Sequence, residues 1–242
     1  MVDGVPPVTA IVLCGGGGRR FAGRDKPLEL LAGQPLVGHV LARLSGQVSS
    51  IIISANRNLT DYEQFGYPVI EDQLPDCGPL AGLHAGLTAT DSQWLLVCPG
   101  DAPLLPTDLV ERLRSGLDSG AQLAIPHDGE RAQHLFMLLE RGVAEGAQAY
   151  LEQGGRSVTG WLADLDVAEV AVADPHAFTN VNTPEELALA EQLLYVLIRI
   201  PRDSSIPLRE RRLSDDGIYS PQPRSDLSSR NPFGSSTSRI SP

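Results

Sequence analysis

Apolar residues along the chain fall into short continuous runs, separated by stretches in which they recur at helical spacing. The first run, Val8-Thr-Ala-Ile-Val-Leu-Cys14, stops abruptly at Gly15-Gly-Gly-Gly18. A short apolar run bounded by glycines predicts a strand buried on both faces, as in a parallel sheet. A polar, glycine-rich loop extends to Asp25, and a helix is expected after Pro35, with Leu36, Val40, Leu41 and Leu44 on one face. Ile51-Ile-Ile-Ser54, Pro68-Val-Ile-Glu71 and Trp94-Leu-Leu-Val-Cys98 predict three more strands, with a small-residue helix over Leu80–Leu87 between the last two. Thr107 and Asp108 can open a further helix whose apolar face is Leu109, Val110, Leu113 and Leu117. Strands alternating with helices at this pace predict a layered α/β fold with a largely parallel sheet.

The second half is less regular. Gln122–Pro126 and Gln133–Leu139 are expected as two strands around the polar turn His127-Asp-Gly-Glu130. Val143–Leu151 and Val158–Ala163 are expected as helices, and Val167–Val172 alternates as a strand does. Asn182-Thr-Pro-Glu-Glu186 is a helix-start signal, with Thr183 as N-cap, Pro184 at the first helical position and acidic residues in the first turn. That helix is expected to run to about Leu194. After roughly Arg199, Ser, Pro, Arg and Asp dominate without any period, which predicts disorder. The reading is one domain over residues 1–195 and a disordered tail over 196–242.

Charge narrows the possible functions. Residues 1–195 hold 11 basic and 25 acidic side chains, a balance of −14; residues 196–242 hold 8 and 5, or +3, giving the net −11. An acidic body argues against nucleic-acid binding, which depends on a basic face. No segment approaches the roughly 20 apolar residues of a membrane span, and the amino end lacks a secretory pattern, so a cytoplasmic location is expected. Cys14, Cys77 and Cys98 show no paired spacing and are expected as small buried side chains. Of the 19 basic residues, 18 are arginine and one, Lys26, is lysine.

That lysine closes the stretch Leu13-Cys-Gly-Gly-Gly-Gly-Arg-Arg-Phe-Ala-Gly-Arg-Asp-Lys26. Glycines directly after a buried strand let backbone N–H groups approach phosphate oxygens, and Arg19, Arg20, Arg24 and Lys26 supply the positive charge a triphosphate needs. The spacing fits neither the P-loop nor the dinucleotide fingerprint. Taken alone, a glycine cluster equally describes a flexible turn.

The whole stretch resembles the L-A-G-G-x-x-x-R-M-G-x-x-D-K signature of nucleotidyltransferases with a GT-A-like, Rossmann-type sheet, and more narrowly the bacterial molybdenum cofactor guanylyltransferases. It departs at Cys14, where Ala is usual, and at Phe21 and Ala22, where Met and Gly are usual. Further motifs match in order: Gly33-Gln-Pro-Leu36 with His39-Val40, Asn56-Arg-Asn58, Val69-Ile-Glu-Asp72, Gly78-Pro-Leu-Ala-Gly82, Cys98-Pro-Gly-Asp101 and Asn180-Val-Asn-Thr-Pro-Glu-Glu-Leu187. In the fifth of these, Gly100 replaces the middle residue of a P-C-D element. The resemblance covers about residues 8–195 and implies a three-layer, mostly parallel Rossmann-like sheet.

It also implies transfer of GMP from GTP to molybdenum-molybdopterin, forming the guanine dinucleotide cofactor and releasing pyrophosphate. Lys26, Arg20 and Asp101 would be catalytic, with Asp101 holding Mg²⁺. Backbone at Leu13, Cys14 and Gly15 together with Ser54 would read guanine, Asp72 would contact the nucleotide, and Gly78–Gly82 would close over it. Asn180 and Asn182 would meet the pterin or its phosphate, and Arg156, after Gly154-Gly155 in the sequence, is a candidate second phosphate partner. GTP and molybdopterin are the implied small-molecule partners, with molybdenum-insertion proteins and molybdoenzyme chaperones as protein partners. Local pattern alone leaves Asp101 and Asn182 open as caps, Asp72 as a solvated turn carboxylate, and Asp25 as either an orienting group or a cap. Rival readings are a cytidylyl or sugar-phosphate nucleotidyltransferase of this fold, or a nucleotide-binding protein without activity.

Overall fold

The computed structural model describes residues 7–15, 25–72, 74, 77–172, 174 and 176–199. The chain divides into two units, Met1–Val196 and Leu197–Pro242, and all elements below lie in the first except the last turn of the final helix.

Seven strands form the main sheet: β1 (Val8–Leu13), β4 (Ser50–Ser54), β5 (Val69–Ile70), β6 (Trp94–Pro99), β7 (Leu123–His127), β8 (Met137–Glu140) and β9 (Val167–Ala171). Their spatial order is β5-β4-β1-β6-β8-β7-β9, and every neighbouring pair is parallel except those made by β8. A second, two-stranded antiparallel ribbon joins β2 (Leu30–Leu31) to β3 (Gln34–Pro35) through Ala32 and Gly33, both at positive φ. The mostly parallel α/β fold expected from sequence is the fold observed.

Alternation along β1 explains the layers. Val8, Ala10 and Val12 face one core, which they share with Val37, Val40, Leu41 and Leu44 of α1 (Leu36–Leu44). Leu109, Val110 and Leu113 of α4 (Leu109–Leu117) and Tyr62 of the short α2 (Leu59–Glu63) complete that side. Ile11 faces the other core, built with α3 (Pro79–Thr88), α5 (Arg141–Glu152) and α6 (Val158–Leu162). A third cluster packs Val181, Ala190 and Leu194 against Leu31, Leu36 and Leu104, which seats α7 (Pro184–Arg199) on the ribbon.

Close approach of α3 to β1 rests on two glycines. A Cβ on Gly82 would stand 2.6 Å from Leu13 Cδ2, and one on Gly86 would stand 2.5 Å from Ile11 Cδ1. Any side chain at either position would push the helix off the sheet.

Two expectations need correction. The strand expected over Gln133–Leu139 begins at Met137 instead. The Asp128 carboxylate accepts from the backbone N–H groups of Glu130 and Arg131, each at 2.8 Å, and the Phe136 N–H donates to Gln133 O, so residues 128–136 form a turn. The final helix continues to Arg199 because no breaker interrupts Leu193–Ile198 before Pro201. Its start is as expected: Glu186 N–H donates to Thr183 Oγ1 at 3.1 Å. The rest of the expected tail lies outside the described residues.

Candidate active site

Strand order reverses beside β1: the chain adds β4 and β5 on one side, then crosses to β6 on the other. In open α/β sheets this switch point leaves a crevice at the carboxyl ends of the strands, where ligands bind. Here those ends carry Leu13-Cys14-Gly15 on β1 and Gly100-Asp101 on β6. Gly100 N–H donates to Leu13 O at 2.9 Å and Cys14 N–H donates to Ser54 O at 2.8 Å, so the ends of β4, β1 and β6 are tied together.

Three distant segments converge on this crevice. Lys26, at the start of a short 3-10 turn, pairs through Nζ with Asp101 Oδ2 and donates to Asn182 Oδ1. The Lys26 and Asp101 side chains are 18% and 15% exposed, which leaves their pairing only lightly screened by solvent. Asn182 is itself fixed: its Nδ2 donates to Asn180 O at 2.9 Å and its backbone N–H to the Glu186 carboxylate. Val181 N–H donates to Asp101 O at 3.1 Å, which brings the 180–182 segment alongside the Asp101 turn. An edge-to-face contact between Phe136 and Phe178, with centroids 4.8 Å apart, supports that segment from below.

Two acceptors in this cluster are unsatisfied among the described residues. Asp101 Oδ1 and Asn180 Oδ1 are buried and have no hydrogen-bond partner. Buried polar oxygens nearly always find one, so an orphan acceptor beside a lysine marks a place for a ligand. Beneath them lies a neutral floor of thiols. Burial, reinforced by the charges of Asp25, Cys98 and Asp101, raises the Cys14 thiol well above its ordinary range. Burial, with Asp101 adding, pushes Cys98 up to about 12.

The other candidates sit around the rim. Ser54 is buried, its hydroxyl 2.9 Å from where a Cβ on Gly82 would stand. Asp72 is half-buried in front of Gly15, its Oδ2 4.0 Å from the position of a Cβ there. It exchanges two bonds with Asn56: Asn56 Nδ2 donates to Asp72 Oδ2 at 2.8 Å, and Asp72 N–H to Asn56 Oδ1 at 2.9 Å. Asn56 drew attention in the sequence only as part of a motif; its signal was its place two residues beyond a buried strand. Gly78 opens α3 at φ +59°. Asp25 accepts from Asn58 Nδ2 at 3.0 Å. Arg156 turns back on the end of α5, its Nη1 donating to Leu151 O at 2.9 Å and Gly155 O at 2.6 Å. Arg20 lies outside the described residues. A separate cleft of about 630 Å³, lined by Trp94, Arg114, Leu117, Gln122 and Glu140, opens at the opposite end of the sheet.

Comparison with known proteins agrees with this arrangement. The MobA-like NTP transferase domain family matches residues 10–167. Molybdenum cofactor guanylyltransferases from Cupriavidus metallidurans and Cupriavidus taiwanensis are 44% and 45% identical over 191 residues, which is 76% of this chain and 94% and 96% of theirs. The structure of molybdopterin-guanine dinucleotide biosynthesis protein A from Archaeoglobus fulgidus superposes with a TM-score of 0.64 at 25% identity, covering 78% of this chain and 99% of that one. No helix among the described residues is long and apolar enough to cross a membrane. The motifs, the crevice at the switch point and these likenesses agree: the chain belongs to the MobA-like NTP transferase family, beside the molybdenum cofactor guanylyltransferases.

Proposed function

We propose that this protein transfers GMP from GTP to molybdenum-molybdopterin, forming the guanine dinucleotide cofactor and releasing pyrophosphate. The observation that carries the reading is the convergence of Lys26, Asp101 and Asn182 at the carboxyl ends of β1 and β6. An acceptor phosphate oxygen attacks the α-phosphorus of GTP, and the bond from that phosphorus to the oxygen bridging to the β-phosphate breaks. The chain's part is to position both substrates and neutralise charge. Lys26, pinned between Asp101 and Asn182, offers its ammonium to the polyphosphate and offsets charge on the departing pyrophosphate. The glycines that follow Leu13 in the sequence suit phosphate contact through backbone N–H groups, and Arg20 would add charge, although residues 16–24 lie outside the described residues. Asn180 and Asn182, alongside the Asp101 turn, suit the polar edge or phosphate of the pterin.

Magnesium fits this site. Asp101 Oδ1 is a buried, unpartnered carboxylate oxygen, and a small hard dication takes one or two carboxylates together with phosphate oxygens. Bound there, Mg²⁺ would neutralise charge on the transferred and leaving phosphates. The name of the Cupriavidus relatives supports guanine as the base. Proteins that insert molybdenum and chaperones of molybdoenzymes are the macromolecular partners this reading implies.

The test is pyrophosphate release by purified protein given GTP, Mg²⁺ and molybdenum-molybdopterin. Wild type is expected to exceed Asp101→Ala and Lys26→Ala by roughly 100-fold or more, and chelation of the metal is expected to abolish release. Equal rates for the three proteins would overturn the assignment.

A further inference from the structure

Gly100 occupies the point where the two arms of the site meet. Its N–H fastens the end of β6 to Leu13 O at 2.9 Å, and the next residue is Asp101. A Cβ built on Gly100 would stand 2.5 Å from Cys14 Sγ, 3.4 Å from Pro27 Cβ and 3.5 Å from Leu13 O. The first distance is far inside van der Waals contact, so the thiol already fills the space a side chain at position 100 would take. The second involves the residue directly after Lys26. The missing side chain therefore also lets the Lys26 segment close against the Asp101 turn. Cys14 has little room to yield: it is 4% exposed, its N–H is held by Ser54 O at 2.8 Å, and the Tyr62 and Cys98 side chains lie beside its sulfur.

We propose that Cys14 is a positioning residue, whose thiol is matched to the bare backbone of Gly100 and sets how closely the Lys26 segment approaches Asp101. The thiol neither touches substrate nor reacts; it acts as a spacer beneath the turn. Adding one methyl group at position 100 forces either the thiol or the Pro27 arm to move. Displacing that arm separates the lysine from the carboxylate it serves. Shrinking the thiol opens the space the methyl group needs. The two positions must then be coupled with a particular sign: each change alone is harmful, and the second relieves the first.

The catalytic part of this proposal rests on the guanylyl-transfer reading. The test is a double-mutant cycle of wild type, Cys14→Ala, Gly100→Ala and Cys14→Ala/Gly100→Ala, with thermal midpoint, GTP KM and kcat measured for each. Gly100→Ala is expected to lower kcat about tenfold with a smaller change in KM, since the substrate contacts remain while their geometry shifts. Cys14→Ala is expected to cost a few-fold, and the double variant to be faster than Gly100→Ala alone by about threefold or more. A double variant whose kcat and midpoint are no better than the independent product of the single changes overturns the proposal. Should Gly100→Ala fail to fold, the double variant must still fold, and its failure is equally fatal. If wild type shows no GTP turnover, the functional reading fails, while the four thermal midpoints still decide the coupling.

Discussion

Replacing Lys26 by alanine isolates the interaction on which the site depends. Lys26 holds Asp101 Oδ2 and Asn182 Oδ1, and Asp101 Oδ1 already lacks a partner, so the variant leaves one buried carboxylate with both oxygens unpaired among the described residues. Removing one member of a fully buried pair costs about 3–5 kcal/mol. The two side chains here keep 18% and 15% of their exposure, and water reaching them reduces that figure to about 2 kcal/mol. For a domain of this size the thermal midpoint should fall by about 4–8 °C. The assay is thermal unfolding without nucleotide or metal, on wild type, Lys26→Ala, Asp101→Ala and the double variant. Because Asp101→Ala removes the orphaned charge, the double variant should be more stable than Lys26→Ala, with a coupling of about 1–2 kcal/mol. Strictly additive midpoints would show that the pair does not organise the site.

Other outcomes follow from the same packing. Gly82→Ala, which places a methyl group 2.6 Å from Leu13 Cδ2 and 2.9 Å from Ser54 Oγ, should destabilise the fold by about 1–3 kcal/mol in a urea titration despite alanine's better helix propensity. Gln47 ties α1 to α4, its Nε2 donating to Arg43 O and Pro106 O at 2.8 and 2.9 Å while its Oε1 accepts from Val110 N–H at 3.0 Å. Gln47→Ala should therefore cost about 1–2 kcal/mol by the same titration. Burial raises the Cys98 thiol from 9.0 to about 12, so the stability it contributes is complete below about pH 9 and is lost as pH rises through about 12. The thermal midpoint of wild type should accordingly fall more steeply than that of Cys98→Ala above pH 9. All three buried cysteines should label with a thiol reagent at pH 8 only after denaturation.

Much of this arrangement was legible in the chain because it is local. The Val8–Cys14 run, the glycines after it and the Thr183-Pro184 helix start each carry their own signal within a few residues. Lys26 and Asp101 were also visible, one as the sole lysine, the other by its place beyond a buried strand. What the chain hid depends on tertiary contact. Nothing near Asn182 announces that its side chain will accept from Lys26, 156 residues earlier. The hairpin of β7 and β8 was expected from the polar turn at His127–Glu130, but its insertion with β8 against β6 was not, because that pairing joins residues far apart in the chain. Leu30–Leu31 and Gln34–Pro35 are too short to show a period, and their ribbon is defined by the positive φ of Ala32 and Gly33. Nothing near Arg156 announces that its Nη1 will donate to Leu151 O and Gly155 O at the end of α5.

The reaction proposed for this protein transfers guanylyl, and molybdopterin receives it. The most direct measurement offers purified protein GTP and CTP together, at equal concentration, with molybdenum-molybdopterin and Mg²⁺, and identifies the dinucleotide formed by mass spectrometry. The guanine dinucleotide should form in large excess, with one pyrophosphate released for each molecule made. A product carrying cytosine, or pyrophosphate released without any pterin dinucleotide, would contradict the proposed reaction.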